Sequence, residues 1–251
     1  MSPDRYLRTF DVLSLLVKHK QGLRLTEIKD ALDLPMSSVH NMLQTMVSAE
    51  VASVTEDLRY SVGPRTVALA LQTLQSLDIR SIARPHLQDL AKEIGDDVYL
   101  AIQVGKRVFY ADRFLGTQRI SLDIRLGESL FLHCTATGKL FAAYDPKLAA
   151  QAIARRMPKL TAVTITDPVK LENEFKRILK QGYSKSDEES VEGIIGYAVP
   201  IHDGAGKLAA AIHISVVGKR VTTPHERKLL DAARKCATQI EKHSGHAAPK
   251  P

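Results

Sequence analysis

Apolar residues return every three or four positions along the first part of the chain, which is the spacing of amphipathic helices. The pattern predicts helices over residues 6–17, 25–32 and 35–47. Asp33 ends the second helix, and Pro35 takes the first position of the third, where a backbone N–H would have no partner anyway. Three short helices so close together indicate a small helical module.

After the third helix the spacing of apolar residues becomes that of β-strands. Two runs, residues 51–54 and 58–62, flank the polar turn 55–57 and predict a hairpin directly after the helices. Helical spacing then returns over residues 66–77 and 82–94. The first of these two helices lies between two modules and is interpreted as a connecting helix.

Strands and helices are mixed in the rest of the chain. The predicted strands cover residues 98–104, 107–114, 129–132, 183–186, 194–202 and 208–217. The predicted helices cover residues 135–143, 148–156, 168–181 and 224–242. Strands joined in hairpins and flanked by helices predict an α+β fold.

The order of these elements divides the chain into four parts. Residues 1–65 are expected to form the helical module with its hairpin, residues 66–79 a linker helix, and residues 80–245 a larger α+β domain. The tail, residues 246–251, consists mostly of alanine, proline and lysine and is expected to be disordered. A chain of 251 residues is long enough for two folded domains.

The composition narrows the class of protein. The N-terminus lacks the apolar run of a secretory signal, and no stretch reaches the about 18 apolar residues of a membrane span. We therefore expect a cytoplasmic protein that has no membrane partner. The two cysteines are too few for a disulfide framework and lack the spacing of a zinc site. The net charge of +7 favours a polyanionic partner.

The second and third predicted helices match a helix-turn-helix, in which the second helix enters the major groove of DNA. The third helix has an apolar back and a small-polar front, and its Asn41 and Gln44 can each make two hydrogen bonds to adenine. The hairpin lies where a DNA-binding wing would be. The residues expected to contact DNA are Arg24, Thr26, Pro35, Met36, Ser37, Ser38, His40, Asn41, Gln44, Thr45, Arg59 and Arg65.

Other interpretations of these patterns stay open. An amphipathic helix with a polar face occurs in any protein, and a helix-turn-helix can also bind protein, so a non-catalytic interaction module is an alternative. A small-molecule hydrolase is another, since His133 and Cys134 are a histidine and a thiol side by side. Neighbours on an extended segment point to opposite faces, which argues against a catalytic dyad there. We expect no catalytic residues, no metal and no cofactor.

Seven short motifs, taken together in their order and spacing, resemble those of the IclR-type family of bacterial transcription regulators. They lie at residues 22–28, 34–40, 59–65, 83–87, 132–139, 182–189 and 198–201. The resemblance implies a winged helix-turn-helix, a linker helix used in dimerisation, and a GAF-like effector-binding domain. It also implies a small organic acid as effector, homodimers that pair into homotetramers, and a role as repressor or activator. A dimer would bind a pseudo-palindromic operator.

This sequence departs from the family pattern in its recognition helix. Where the family often carries a basic residue, this chain has Met36 and Asn41, and the helix contains neither lysine nor arginine. The departure shifts the expected contacts with phosphate to Arg24, Arg59 and Arg65.

The resemblance also indicates where an effector would bind. It places effector-binding residues at His133, Ala136, Thr137, Gly138, Ser186, Asp187, Gly196, His213 and Ser215. Backbone N–H groups at residues 136–138 begin a helix and could face a carboxylate, although a helix simply capped by threonine is the alternative. Gly196, which has no side chain, is expected to leave space for a larger ligand, and His213 is expected to pair with an acid. This combination predicts a larger carboxylate, aromatic or cyclic.

Overall fold

The computed structural model describes residues 4–117, 126–154, 157–218 and 221–244. The chain separates into two compact units between Leu77 and Asp78. The elements of the first unit are α1 (Asp4–Lys18), β1 (Leu23–Arg24), α2 (Leu25–Leu32), α3 (Met36–Ser48), β2 (Ala52–Val54), β3 (Arg59–Val62) and α4 (Pro64–Gln75). The division into linker and domains at residues 66 and 80 stays a prediction.

The first unit is a winged helix-turn-helix. Its core joins α1, α2 and α3 through side chains that exclude solvent completely, among them Val12, Ile28, Val39 and Leu43. The sheet is antiparallel in the order β1-β3-β2. The hairpin of β2 and β3 was predicted, whereas β1 was not, because two residues are too short for a periodic signal.

The turn of the helix-turn-helix depends on two residues that were singled out in the sequence. Asp33 ends α2 with φ +49°, in the left-handed region that aspartate tolerates better than most residues. Pro35 was expected as the first residue of α3, and this is wrong by one position. Its ψ of 139° is extended, so Pro35 precedes the helix, and its carbonyl accepts the first helical hydrogen bonds from Ser38 and Val39.

The second unit surrounds a five-stranded antiparallel sheet in the order β5-β4-β8-β7-β6. Its strands are β4 (Asp97–Val104), β5 (Arg107–Phe114), β6 (Ser184–Asp187), β7 (Ile194–His202) and β8 (Leu208–Val217). Its helices are α5 (Asp78–Ile94), α6 (Ala136–Tyr144), α7 (Pro146–Ala154), α8 (Pro168–Gln181) and α9 (Thr223–Ser244). This is the α+β architecture that the sequence predicted.

Helices cover the sheet of the second unit. β4 is buried at six consecutive positions, so both faces of the sheet are covered. Helices α6, α7 and α8 share one apolar cluster with Tyr99 of β4 and Tyr110 of β5, while α5 and α9 pack on each other and against β4 and β7. Among the described helices, none has the length and apolarity needed to cross a membrane.

Two predictions for this unit need comment. The strand expected over residues 129–132 is wrong, because within the described ranges the segment pairs with β5 through a single bridge between Ser129 and Phe109. Residues 132–134 turn instead of extending, and the turn leads directly into α6. The tail that was expected to be disordered lies outside the described residues.

Candidate functional site

The exposed face of α3 carries the polar side chains that the sequence placed there. Ser37, His40, Asn41, Gln44 and Thr45 are exposed, as is Met36 at 43%, while Ser38 is half-buried. Val39, Met42, Leu43 and Met46 form the buried back of the helix. The arrangement leaves a row of amide, hydroxyl, imidazole and thioether groups that can meet the edges of bases in a major groove.

One of the arginines expected to contact phosphate is bonded to groups within the first unit. Arg59 was expected to contact phosphate, but its guanidinium donates to the carbonyl of Gly22 (3.2 Å) and lies 3.4 Å from Asp57 and 3.8 Å from Glu27. Its charge therefore holds β3 to the start of α2. Arg65 has an exposed side chain at the start of α4.

Further exposed groups lie at the start of α2. Arg24 and Thr26 are exposed, and the backbone N–H of Arg24 donates to Glu27 Oε2 at 2.7 Å. Pro35, at the start of α3, is also exposed. Arg24 and Arg65 thus have exposed side chains, whereas the guanidinium of Arg59 is bonded within the unit.

The second unit contains a cavity of about 300 Å³ between α6 and the sheet. Five of the residues predicted to bind an effector line it, namely Ala136, Ser186, Gly196, His213 and Ser215. The strand register explains why they meet, because Gly196 on β7 lies between Ser186 on β6 and Ser215 on β8. His213 and Ser215, two positions apart on β8, share one face of the sheet.

Two residues predicted for this site lie elsewhere. His133 lines a different cavity, of about 630 Å³, and its Nε2 lies 3.0 Å from the carbonyl oxygen of Pro158. Asp187 is exposed, and its carboxylate lies 3.0 Å from the ammonium group of Lys185. His133 and Asp187 therefore do not join the other predicted residues in the cavity beside α6.

The residue that caps α6 binds one of the backbone N–H groups in the first turn of the helix. Thr135 Oγ1 accepts the backbone N–H of Gly138 at 3.0 Å, so that N–H is not available to a ligand, contrary to expectation. Thr137 is fully buried, with Oγ1 3.3 Å from the hydroxyl of Tyr110. The backbone N–H groups of Ala136 and Thr137 belong to the set that a helix leaves without partners inside itself.

His213 is buried in the wall of the cavity, only 5% exposed. Burial lowers the pKa of its imidazole to about 3, against an opposing interaction with the backbone of Tyr197, so the ring is neutral near pH 7. Its Nδ1 is itself buried within the protein. Its ring centroid lies 5.1 Å from that of Tyr110 and 5.7 Å from that of Tyr99.

The glycine at position 196 does not enlarge the cavity as expected. A Cβ atom placed on Gly196 would lie 2.8 Å from Cε1 of His213, so the imidazole occupies the space that the missing side chain leaves. The argument for a larger ligand from this glycine is therefore wrong.

The neighbouring histidine and cysteine have the properties of structural residues. Burial raises the pKa of the Cys134 thiol to about 12, which keeps it protonated and a poor nucleophile. The segment is a turn, so the expected extended geometry is wrong, but the His133 ring is directed to Pro158. Within the described ranges, no group of three or more histidine, cysteine or acidic residues is arranged to hold a metal ion.

Comparison with known families identifies both units. Residues 7–52 match the profile described as the IclR helix-turn-helix domain, and residues 71–242 match that described as the C-terminal part of the bacterial transcriptional regulator IclR. The chain belongs to the IclR family. It is a DNA-binding transcription regulator, as the residues of its first unit indicated.

Individual proteins and solved structures are similar to this chain over nearly its full length. The HTH-type transcriptional regulator Rv1719 of Mycobacterium tuberculosis is 31% identical over 222 residues, which are 88% of this chain and 82% of that protein. The crystal structure of the Thermotoga maritima IclR covers 98% of this chain and 100% of that one with TM-score 0.79 and 28% identity. The structure of an IclR homolog from Microbacterium hydrocarbonoxydans, complexed with 4-hydroxybenzoate, covers 97% of this chain and 98% of that one, with TM-score 0.83 and 22% identity.

Several residues around the cavity of this IclR-family chain were not foreseen. Tyr110, Leu130 and Phe131 line it together with Thr135 and Leu160, and so do Ser190, Val191 and Ile194. They come from segments far apart in the sequence, and most have no polar group that would single them out. Thr135 was recognised only as a possible cap.

Lys139 was part of a motif, but its structural role was missed. Its ammonium group is fully buried and lies against the carboxylates of Glu174 (3.4 Å) and Glu189. A lysine directly before Leu140 and Phe141, both fully buried, was the available signal, because a charge within an apolar helix face needs a partner.

Proposed function

We propose that this regulator binds a small organic carboxylate in the cavity beside α6, and that binding changes its affinity for an operator. The observation that carries the proposal is the cavity itself, whose wall brings the start of α6 together with Ser186, His213 and Ser215. N–H groups at a helix start favour a negative charge. Ala136 of that start lines the cavity.

The size of the cavity supports a compact acid. Its volume of about 300 Å³ is at the lower end of the range of pockets that enclose small ligands. The homolog from Microbacterium hydrocarbonoxydans that shares this fold was crystallised with 4-hydroxybenzoate. An aromatic acid of one ring is therefore the first ligand class to test here.

We propose that the regulator acts as a homodimer, or as a tetramer of two dimers, in the cytoplasm. Apolar side chains on α1 and α4 support this, since Leu7 and Phe10 are 64% and 68% exposed, and Leu71 is 57% exposed. Such side chains are expected to be covered by a second copy. Replacing Leu71 with glutamate should shift the sedimenting species towards monomer, whereas Gln72→Glu, its neighbour on α4, should not.

The recognition helix favours a particular kind of operator. Without lysine or arginine, α3 cannot make the bidentate contact that arginine makes with guanine. Asn41 and Gln44 suit adenine, and the exposed Met36 suits the methyl group of thymine. We therefore expect half-sites of the operator that are rich in A·T pairs where α3 reads them.

The linker helix α4 would couple effector binding to operator binding. Helix α4 ends at Gln75, close to the division between the two units after Leu77. An acid that binds one arrangement of the sensor units more tightly would shift the population of dimers towards it, and α4 would set the spacing of the recognition helices.

The test is binding of the purified full-length protein to the intergenic DNA upstream of its gene, over a salt series, with and without benzoate, 4-hydroxybenzoate, acetate and pyruvate. We expect salt-dependent specific binding that an aromatic acid changes at least tenfold. Specific binding that none of the four acids alters would refute the effector proposal. Equal affinity for random DNA would refute the operator proposal.

A further inference from the structure

The second unit contains a larger cavity, of about 630 Å³, next to the turn between β4 and β5. We call it the hairpin cavity; its wall is formed by that turn, by α7 and by the chain before α6 and after α7. The side-chain amide of Gln151 on α7 donates to the carbonyl of Lys106 at 3.1 Å, and Nε2 of His133 lies 3.0 Å from the carbonyl oxygen of Pro158. All four residues line the cavity, so contacts within the protein hold its walls together.

The lining of the hairpin cavity combines an apolar surface with two cations. Lys106 and Arg107 are consecutive residues at the β4–β5 turn, and both are exposed. Among the described residues, none forms an ion pair with either side chain, and none that lines the cavity is an aspartate or a glutamate. The apolar part of the lining consists of Leu130, Phe131, Leu132, Ala152, Met157 and Pro158. The two positive charges are therefore not neutralised by the wall.

An organic anion with an apolar body matches this lining. The planar guanidinium of arginine can donate two hydrogen bonds to a phosphate or carboxylate, and the ammonium group of lysine adds a point charge. Two adjacent cations favour two negative charges on the ligand. The volume lies within the range of pockets that enclose small ligands and is roughly twice that of the cavity beside α6. It therefore suits a body of two fused rings.

The hairpin cavity and the cavity beside α6 share part of their walls. Leu130 and Phe131 line both. The N–H of Leu130 donates to the carbonyl of Val108 on β5 at 2.9 Å, and the carbonyl of Phe131 accepts the hydroxyl of Thr135, the cap of α6, at 2.7 Å. The ring of Phe131 meets that of His133 edge-on, with centroids 5.7 Å apart. A ligand that packs on Phe131 from the hairpin cavity thus contacts a residue bonded to the start of α6.

We infer that the hairpin cavity is a second ligand site of this regulator, for an organic dianion with an apolar body whose charged group binds to Lys106 and Arg107. The charged group is a phosphate or a pair of carboxylates, and the body packs on the apolar part of the lining. Binding there holds Leu130 and Phe131 in place, and through them the start of α6. The site goes beyond the proposed effector function, because it requires no ligand beside α6.

The site is tested by titration calorimetry of the full-length protein with 1-naphthyl phosphate and with 2,6-naphthalenedicarboxylate. 1-Naphthol supplies the body without the charge, and inorganic phosphate the charge without the body. At least one of the two dianions should bind about tenfold or more tighter than either of these, because charge-assisted hydrogen bonds and apolar burial both contribute. Which dianion binds distinguishes a phosphate from a pair of carboxylates. Failure of both dianions to bind, or equal binding of 1-naphthol or phosphate, would overturn the site.

The location of the bound dianion is tested with two double variants. Lys106→Gln combined with Arg107→Gln changes only exposed side chains and should weaken binding of the dianion about tenfold or more while melting close to wild type. Lys176→Gln combined with Lys180→Gln removes the same charge from exposed positions on α8, outside the cavity, and should keep the wild-type affinity. Equal affinities of the two double variants would overturn the assignment to Lys106 and Arg107.

The link to α6 is tested by hydrogen exchange read by mass spectrometry, with no ligand other than the dianion. Saturation should slow exchange in peptides that cover residues 129–138, but not in peptides from α9, which packs on α5 and β7. The Lys106 and Arg107 double variant should show no slowing under the same conditions. Unchanged exchange over residues 129–138 in the saturated wild type would overturn the link. If no carboxylate alters operator binding, the effector proposal fails, while these measurements still decide the second site.

Discussion

The ammonium group of Lys139 on α6 is paired with the carboxylate of Glu189 in the interior of the second unit. Lys139 is fully buried and the side chain of Glu189 is 9% exposed. The backbone oxygen of Glu189 accepts a hydrogen bond from Thr164 at 2.7 Å. The pair therefore ties α6 to the segment whose next residues, Ser190 and Val191, line the cavity beside α6.

Removing the cation should destabilise the second unit. In Lys139→Met the carboxylates of Glu174 and Glu189 lose their buried partner, and we expect a loss of about 3 kcal/mol in the free energy of unfolding. Urea denaturation of the full-length protein measures it. The double variant Lys139→Met, Glu189→Leu should recover much of the loss, because it no longer leaves a carboxylate at 189 unpaired. A single variant within about 1 kcal/mol of wild type would contradict the role of the pair.

The depressed pKa of His213 predicts how stability depends on pH. Its pKa is 6.5 unfolded and about 3 folded, so between these values the unfolded chain binds a proton that the folded chain does not. Stability should therefore fall as the pH falls below 6.5, by about 2 kcal/mol at pH 5 from this residue. Urea titrations at pH 7 and pH 5 should show a smaller difference in His213→Phe than in wild type. Equal differences would show that His213 does not contribute.

The amide side chains of α3 should carry base specificity. Asn41→Ala and Gln44→Ala are each expected to weaken binding to the operator by about 1–3 kcal/mol, with little change on random DNA. Ser48→Ala, at the exposed end of the same helix, serves as the control. Competition binding against random DNA measures both quantities. Equal weakening on both DNAs would assign these residues to the phosphate backbone instead.

Two arginines of the first unit should behave differently on replacement. Arg65→Ala should weaken binding to operator and random DNA alike and make the slope of log K against log salt shallower by about 1, as expected for one lost phosphate contact. Arg59→Ala should leave that slope nearly unchanged and lower the Tm instead, because Arg59 holds Gly22, Glu27 and Asp57 together. The opposite pattern would mean that Arg59 turns to the DNA on binding.

Elements with strong local signals could be predicted from the sequence. Helix α8 has its predicted bounds, because Pro168 begins it and Gly182, with φ +75°, ends it. Strands β7 and β8 also have theirs, since their long apolar runs are separated by a turn rich in glycine. The strand at 129–132 could not be judged locally, because a short apolar run pairs only if a neighbouring strand is in reach.

The resemblance placed five of the residues that line the cavity, and strand periodicity explains two of them. Alternation along β8 placed His213 and Ser215 on one face, and both line the cavity. The relation of Gly196 to His213 depends on the register between two strands, which a single sequence does not contain. The orientation of the His133 ring depends on its contact with the carbonyl of Pro158. Whether the N–H of Gly138 is available to a ligand depends on the rotamer of Thr135. These are contacts of tertiary structure and rotamer choice, for which no local pattern exists.

The ring cluster of Tyr99, Tyr110 and His213 has an optical consequence. The chain contains seven tyrosines and no tryptophan, so tyrosine is its principal ultraviolet fluorophore. Tyr110 lines the cavity, and the ring of Tyr99 lies 5.0 Å from it. An aromatic acid that enters the cavity would come close to two of the fluorophores. The unlabelled protein is therefore its own probe of cavity occupancy, read from quenching of tyrosine fluorescence.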